Sequence, residues 1–189
     1  MFEVNPAFNK RLFVVDNFYS NPDEVRELAL QQEYENGSDW YKGRRTYNNF
    51  LNPQVKSAFE DIMGIKIREW ESHGMNGKFQ YCLPEDVLVY HYDAQTWAAV
   101  LYLNPTAPFD TGTSLYAHKE TRKRHADDEN ADACFNGGFL DGTKFELVDT
   151  VGNVYNRLVI FDARCFHAAN RYCGQNINDS RLFQIFFFD

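Results

Sequence analysis

The sequence lacks the features that mark several large classes of protein. Its 19 lysines and arginines are outnumbered by 27 acidic residues, which gives a formal net charge of -8 at pH 7. Because phosphate contacts need a basic face, this balance argues against a general nucleic-acid-binding protein. No stretch approaches the about 18 apolar residues of a membrane span, and residues 1–4 lack the basic region and apolar run of a secretory signal. We therefore expect a cytoplasmic protein that does not enter the membrane.

Cysteine is also scarce. The four cysteines show no paired spacing typical of a disulfide framework or a zinc ribbon. Cys165 and Cys173 flank His167, so a Cys/His zinc site is an alternative to buried, reduced thiols.

Basic residues occur in two short clusters, 42–45 and 122–125, and charge patterning favours solvated loops for both.

What the sequence does have is apolar and aromatic content. Hydrophobic residues make up 44% of the chain and aromatic residues 16%, with 17 Phe and 11 Tyr, which favours a β-rich globular core. The length of 189 residues fits one domain over residues 1–189. Within it, residues 1–64 are expected to form an N-terminal strand and supporting helices, and residues 65–189 the core.

The N-terminal part shows two helix starts of the same kind. After a predicted strand at residues 11–18, Asn21-Pro22 can open a helix, because Asn caps and Pro suits the first helical position. Asn52-Pro53 repeats this pattern, and Gly64 can end the second helix. We expect the linking segment, residues 35–50, to be an ordered loop.

From residue 65 onward the pattern changes to short strands separated by turn residues. The predicted strands are residues 65–71, 78–83, 87–93, 97–103, 113–118, 144–149, 157–162 and 181–188. Eight strands after two helices predict a mainly β fold, a double-stranded β-helix or jelly roll. The last strand is apolar on both faces, so we expect the helices to pack on the outer face of the major sheet. The long stretch 105–138 is either a functional lid or disordered.

His91 and Asp93 are candidate metal ligands. Side chains two residues apart on a strand point to the same face, so both can reach one cation. A distant strand must bring the third ligand, and His167 follows the predicted strand 157–162. The other histidines are its rivals for this role, namely His73, His118 and His125. Two imidazoles and one carboxylate on one face of a metal form the arrangement of non-haem Fe(II) oxygenases.

Arg181 is a candidate for binding an anion. It opens the final apolar strand, and burying a guanidinium there without an anionic partner would be very costly. An arginine grips a carboxylate through two parallel hydrogen bonds, which lysine cannot do. A structural salt bridge to a nearby aspartate is the alternative.

With these residues in order, the chain resembles the Fe(II)- and 2-oxoglutarate-dependent dioxygenases, particularly the prolyl-hydroxylase-like branch. The resemblance covers about residues 78–189. The matching segments are residues 90–93 (YHYD), 100–104 (VLYLN), 112–115 (GTSL), 157–162 (RLVIFD) leading to His167, and 181–186 (RLFQIF).

The resemblance implies roles for six residues. His91, Asp93 and His167 would bind Fe(II), and Arg181 would bind the distal carboxylate of 2-oxoglutarate. The hydroxyl of Tyr102 would support that carboxylate, and Tyr81 would line the same pocket. With O2 as cosubstrate, the implied reaction hydroxylates a substrate and releases succinate and CO2. The carboxylate at position 93 favours hydroxylation over halogenation, because halogenating relatives lack it.

The substrate and the enzyme class leave alternatives open. By analogy the substrate is a peptidyl side chain such as proline, or a small amino acid or metabolite. Five loop residues could border the mouth of the site or serve only packing and solvation: Trp40, Tyr41, Arg44, Arg45 and Trp97. The rival class is a non-oxidative, cupin-like jelly roll that binds a metal or ligand, for which Arg181 would be unneeded. The sequence does not indicate an oligomeric state.

Overall fold

The structure is a computed structural model that describes residues 2, 3, 5, 9–37 and 41–189. Within them the chain forms two α-helices, α1 (Pro22–Leu30) and α2 (Pro53–Met63), and ten β-strands. The strands are β1 (Leu12–Val15), β2 (Tyr34–Asn36), β3 (Arg44–Thr46), β4 (Phe79–Cys82), β5 (Trp97–Tyr102), β6 (Thr113–His118), β7 (Phe145–Val151), β8 (Leu158–Asp162), β9 (His167–Ala169) and β10 (Arg181–Phe188).

The strands form two antiparallel sheets, so the expected mainly β fold with two N-terminal helices is confirmed. The larger sheet has seven strands in the order β1-β8-β5-β10-β4-β3-β2, and the smaller has three in the order β7-β6-β9. In the larger sheet, Gln80 of β4 pairs with Phe183 of β10 on one side and with Arg45 of β3 on the other. This register places the three side chains on the same face of the sheet.

Both helices begin at the Asn-Pro pairs that the sequence indicates. The Asn52 side chain accepts a hydrogen bond from the Gln54 amide at 2.8 Å, and Gly64 ends α2 in the left-handed region with φ 72°. Asn21 makes no such bond, so Pro22 and the acidic first turn mark the start of α1. Neither helix has the length and apolar character needed to cross a bilayer.

The helices cover one face of the larger sheet. Phe59 of α2 is fully buried, and its ring lies 5.1 Å from that of Phe186 and 5.6 Å from that of Phe188. The alternate residues Phe183 and Phe187 of β10 belong to a second cluster on the opposite face. The last strand is thus apolar on both sides because both sides are covered, as its sequence predicts.

Two predicted strands are absent. Residues 65–71 form no ladder, because the amides of Arg68 and Glu69 donate to the carbonyl of Asp189 instead of pairing with a strand. Residues 87–93 contain only an isolated bridge at His91, since the amides of Tyr90 and Asp93 donate to separate segments of the chain. Ile67 and Trp70 of the first segment are buried without regular pairing, whereas no residue of 87–93 is fully buried.

Two segments are more regular than expected. The linking segment 35–50 is not simply a loop, because β3 and most of β2 lie within it and extend the larger sheet beyond β4. The short strand β9 was not predicted, and it pairs with β6 through Leu115 and His167. Strands of three residues carry too few side chains to show an alternating pattern.

The long stretch 105–138 is packed rather than open. It contains β6 and a 3-10 turn, Ala131–Phe135, whose Ala131 and Cys134 bury against Phe145 and Phe166. Ion pairs from Arg122 to Glu146 and from Arg164 to Asp127 join its charged part to other segments. Its 3-10 turn packs against Phe145 of the smaller sheet.

The aromatic cluster under α2 should carry much of the stability. We expect Phe59→Ala to lower the free energy of unfolding by about 3–5 kcal/mol, because it leaves a cavity among packed rings. Urea denaturation measures this change. Phe109→Ala is the matched control, since Phe109 is 73% exposed and should change stability by less than about 0.5 kcal/mol. Equal losses in the two variants would contradict this packing.

Candidate metal centre

A backbone bridge brings the two candidate histidine ligands together. The His91 amide donates to the His167 carbonyl at 3.1 Å, and the His167 amide donates to the His91 carbonyl at 2.8 Å. His167 is held on its other side by β6, and Asp93 is held by a bond from its amide to the Ala163 carbonyl at 2.8 Å. The ring centroids of the two histidines are therefore only 4.3 Å apart.

The three predicted ligand side chains converge. Potential ligand atoms of His91, Asp93 and His167 all lie within 4.8 Å of one another. The Nε2 of His91 is 3.6 Å from one Asp93 carboxylate oxygen, and the Nε2 of His167 is 3.4 Å from the other. Ligand atoms about 2.1 Å from a metal and at right angles to each other are about 3 Å apart. The group therefore has nearly the spacing that one shared metal ion requires.

Each histidine is oriented through its other ring nitrogen. The Nδ1 of His91 lies 3.0 Å from the carbonyl oxygen of Val89, and the Nδ1 of His167 lies 2.8 Å from that of Cys165. A proton on Nδ1 leaves the lone pair of Nε2 directed at the Asp93 side. Metal-binding histidines are commonly held by this kind of backbone bond.

The charge states also suit a metal. Burial, together with the neighbouring His167, lowers the pKa of His91 to about 4 and keeps its ring neutral near pH 7. Burial raises the pKa of Asp93, but the neighbouring His167, His91 and Arg45 outweigh it and leave the pKa below its ordinary value. Neutral imidazole and ionised carboxylate are the forms that bind metals.

Arg181 is buried and has no acidic partner among the described residues. It is 3% exposed. Its Nε donates to the Thr111 carbonyl at 2.7 Å, and its Nη2 donates to the Gly112 carbonyl at 3.3 Å and to the Thr113 hydroxyl at 3.1 Å. The predicted alternative of a structural salt bridge is therefore not realised within the described part of the chain. Carbonyls hold the guanidinium in place without neutralising it.

The segment before β6 is shaped to hold this arginine. A Cβ atom at Gly112 would lie 1.8 Å from the Val151 carbonyl oxygen, so only glycine lets the chain pass so close. The Thr113 hydroxyl, which accepts from Arg181, also bonds the Tyr102 hydroxyl at 2.8 Å. Tyr102 is fully buried, and its ring centroid is 5.5 Å from the Arg181 guanidinium carbon. Tyr102 is thus linked to the predicted anion site through the Thr113 hydroxyl.

The predicted place of Tyr81 is wrong. Tyr81 packs against the helix-side cluster, with its ring 5.0 Å from that of Tyr34 and 5.5 Å from the Arg44 guanidinium carbon. Side chains alternate along β4, so its neighbours Gln80 and Cys82 face the cavity instead. The sequence places Tyr81 on the correct strand but on the wrong face.

A cavity of about 480 Å³ joins the His-Asp-His group to Arg181. Its lining includes polar groups at Arg45, Gln80 and Thr113. The apolar part of its wall is formed by Val89, Ala98, Val100, Phe161, Phe183, Ile185 and Phe187. A concave site with a largely apolar wall and a few polar groups is typical of small-molecule binding.

Of the five residues suggested for the mouth, Tyr41 and Arg45 line the cavity. Arg44 pairs with Asp86 at 2.9 Å, and Trp97 packs its ring 6.0 Å from that of Phe13 in the helix-side cluster. Trp40 lies outside the described residues. The prediction that residues 42–45 form a solvated loop is wrong for Arg45, which is 8% exposed. Because β3 lies inside a predicted loop, no sequence pattern indicated that Arg45 is buried.

The other histidines do not join this group in the described part of the chain, although His73 lines the same cavity. The Nε2 of His73 is 3.1 Å from the Asp189 carboxylate, and the Nδ1 of His118 is 3.0 Å from the Thr121 hydroxyl. Neither shares a potential metal cluster with His91 and Asp93 in the described part of the chain. Of the four candidates for the third ligand, only His167 has the required position.

A second cluster, His125, Asp162 and Cys165, has potential ligand atoms at similar spacing. Here Arg11 already supplies a cation, with its Nη1 2.6 Å from the Asp162 carboxylate and 3.6 Å from the Cys165 sulfur. A metal ion would have to displace or repel that guanidinium. In the His-Asp-His group no arginine makes such a contact among the described residues, which favours that group for a metal.

Solved structures with a similar fold include oxygenases. HygX from Streptomyces hygroscopicus with nickel and 2-oxoglutarate bound matches with a TM-score of 0.61 at 13% identity, over 94% of this chain and 82% of that chain. HygX with nickel, 2-oxoglutarate and hygromycin B bound matches with a TM-score of 0.56 at the same identity and coverage. A Trichoplax adhaerens prolyl hydroxylase, in complex with a peptide fragment of the hypoxia inducible factor oxygen degradation domain, has a TM-score of 0.54 at 13% identity, over 94% and 83%.

The fold is therefore that of the Fe(II)- and 2-oxoglutarate-dependent oxygenases, as the sequence resemblance predicts. The chain itself belongs to a family of unknown function, DUF6445, whose model matches residues 3–181. No curated protein matches the sequence.

The site geometry predicts which histidine retains a metal. We expect His167→Ala to weaken Fe(II) binding by more than the roughly 10–100-fold that loss of an outer-shell partner costs, because a direct ligand is removed. Metal analysis after anaerobic loading and gel filtration measures this. His118→Ala is the matched control and should keep the wild-type iron content. Iron retained by His167→Ala but lost by His118→Ala would move the third ligand to His118.

Proposed function

We propose that this protein is an Fe(II)- and 2-oxoglutarate-dependent oxygenase that hydroxylates its substrate. In this proposal His91, Asp93 and His167 hold the ferrous ion, and Arg181 holds the distal carboxylate of 2-oxoglutarate. The observation that carries it is a buried arginine without an acidic partner in the described residues, on the same cavity as a converging His-Asp-His group. Either feature alone also suits proteins of different chemistry, whereas the two together are what this reaction requires.

The donor set fits Fe(II). Two imidazoles and one carboxylate occupy one face of a metal and leave positions for further ligands, whereas structural zinc sites are closed and often rich in cysteine. The nearest cysteine in sequence, Cys165, presents its carbonyl rather than its sulfur to His167. Asp93 completes the carboxylate position, which supports hydroxylation rather than halogenation.

Arg181 fits one end of a dicarboxylate. Three of its contacts are made by Nε and Nη2, which leaves Nη1 without an acceptor among the described residues. A carboxylate bound here would gain charge-assisted hydrogen bonds and would neutralise a buried charge. Tyr102, through Thr113, would position rather than bind the cosubstrate. A non-oxidative protein that binds only a metal does not need this arginine, which argues against that form of the cupin-like alternative.

The chain would orient the reactants and exclude water. When bound, iron and 2-oxoglutarate supply the oxidation, in which O2 is consumed and 2-oxoglutarate becomes succinate and CO2. The bonds from His91 to Val89 and from His167 to Cys165 would keep both rings directed at the metal. The apolar cavity wall would keep bulk water from the reacting groups.

The architecture and substrate are part of the same proposal. We interpret the two facing antiparallel sheets as a double-stranded β-helix within one domain spanning residues 1–189. The similar structures hold a peptide in one case and hygromycin B in another, so both a peptidyl side chain and a small molecule remain compatible with the fold. A cytoplasmic location stays a prediction from the sequence.

Anaerobic titration tests the proposed function. Adding Fe(II) and 2-oxoglutarate to the protein should produce a weak visible charge-transfer band, because the keto acid chelates the metal. Zinc-loaded protein is the control and should show none. After O2 is admitted, slow succinate formation without substrate should follow. Absence of both the band and succinate would reject the proposal.

The role of Arg181 has its own test. We expect Arg181→Gln to weaken 2-oxoglutarate binding by about 30-fold or more, because a buried charged partner is removed, while iron content stays unchanged. The charge-transfer band, titrated with 2-oxoglutarate, gives the affinity. Arg44→Gln is the matched control, since Arg44 faces away from the cavity. Unchanged affinity in Arg181→Gln would place the cosubstrate carboxylate elsewhere.

A further inference from the structure

We propose that Arg45 forms a second anion subsite in the cavity, which binds the carboxylate of a small, otherwise largely apolar substrate. The inference rests on the proposed function, because it concerns the substrate of the same site. It favours a free amino acid or other small carboxylic acid over a side chain within a peptide, which offers no backbone carboxylate.

Arg45 is a buried cation with an open end. Its Nε donates to the Gln80 side-chain oxygen at 2.6 Å, and its guanidinium carbon lies 3.9 Å from the ring centroid of Tyr41. Within the described residues its two terminal nitrogens have no hydrogen-bond acceptor, and no carboxylate forms an ion pair with it. Burying such a group unpaired is costly, so a partner from solution is expected.

The surrounding residues hold this arginine in place. Gln80 is itself fixed by a hydrogen bond from its Nε2 to the Lys42 carbonyl at 2.7 Å. Gln80 therefore orients the guanidinium from one edge, while the Tyr41 ring fixes its plane. The free edge, Nη1 and Nη2, has the geometry for two parallel bonds to a carboxylate. Gln80 is a positioning residue for this subsite.

The Arg45 subsite is distinct from that of Arg181. The Arg181 guanidinium carbon lies 4.4 Å from the Phe183 ring centroid, whereas that of Arg45 lies 6.0 Å from the Phe187 ring centroid. Phe183 and Phe187 are four residues apart on β10, which is about 13 Å along a strand. The two guanidinium groups therefore contact different aromatic rings of β10, and only that of Arg181 is held by the backbone at Thr111 and Gly112.

The charges that line the loaded cavity leave Arg45 without a counter-charge there, since Glu35, which also acts on Arg45, forms its ion pair with Lys78. A ferrous dication, the Asp93 carboxylate, a 2-oxoglutarate dianion and the Arg181 guanidinium sum to zero, because neutral histidines contribute nothing. Asp93 is the only acidic residue among the described lining residues, and the metal would neutralise it. A substrate with a negative charge would therefore complete the balance.

The wall near Arg45 indicates what else the substrate carries. Ala98, Ile185 and Phe187 line the cavity from neighbouring positions of β5 and β10. An apolar body packed on these residues would be removed from water while its carboxylate reaches Arg45. The cavity of about 480 Å³ has room for a compact molecule.

Matched acids and amides test the subsite directly. Anaerobic isothermal titration calorimetry of protein loaded with Fe(II) and 2-oxoglutarate would use phenylacetate and phenylacetamide, 4-methylpentanoate and its amide, and L-leucine and L-leucinamide. We expect at least one acid to bind about tenfold or more tightly than its amide, because a charge-assisted bond is lost in the amide. Arg45→Gln should abolish this preference, and the control Arg44→Gln should keep it.

The outcomes separate the subsite from the proposed function. Amides that bind as tightly as acids, acids that do not bind, or an unchanged preference in Arg45→Gln would each overturn the subsite. If Arg45→Gln does not fold, Arg45→Lys should retain the charge and a reduced preference, and the wild-type comparison still decides. If the charge-transfer band is absent, the oxygenase proposal fails, and the same titration on metal-free protein then tests Arg45 alone.

Discussion

The site depends on one antiparallel bridge between two segments that are far apart in the chain. Two reciprocal backbone hydrogen bonds join His91 to His167 and fix the position of one imidazole relative to the other. His167 is also part of β9, so the smaller sheet holds one side of the bridge. The Asp93 amide donates to the carbonyl of Ala163, which lies in the segment that leads to His167. Side chains held by backbone bonds lose little further entropy when they bind a metal, which is why such sites can be rigid.

The second feature of the site is an excess of positive charge inside an acidic protein. The chain carries a net charge of -8, yet the cavity buries two arginines against a single carboxylate. Surface acids contribute little to this balance, because solvent screens them. Buried guanidinium groups are held by carbonyls, hydroxyls and aromatic rings, which orient them without neutralising them. The cavity is thus built for anions, although the overall charge of the protein gives no hint of this.

The predicted convergence of His91, Asp93 and His167 agrees with the structure better than the predicted segments that carry them. His91 and Asp93 were expected to converge because they alternate along a strand, yet residues 87–93 form no ladder, and the two side chains meet through separate backbone bonds. Tyr81 lies on a predicted strand, but its pocket role came from the family resemblance, and the side chain shares the helix-side face with Phe79. The burial of Arg45 was missed, because its three-residue strand lies between residues that resemble a polar loop.

The sequence by itself determined the helix starts at Pro22 and Pro53, most strands of the two sheets, and the residue types for a metal and an anion. These follow from local chemistry: capping, alternation, and the cost of burying a charge. Only the tertiary structure decided that His167 rather than His118 meets Asp93, that Arg181 lacks an acidic partner in the described chain, and that Arg45 faces the cavity. Such pairings depend on sheet register, and register is set by contacts between residues that are distant in sequence.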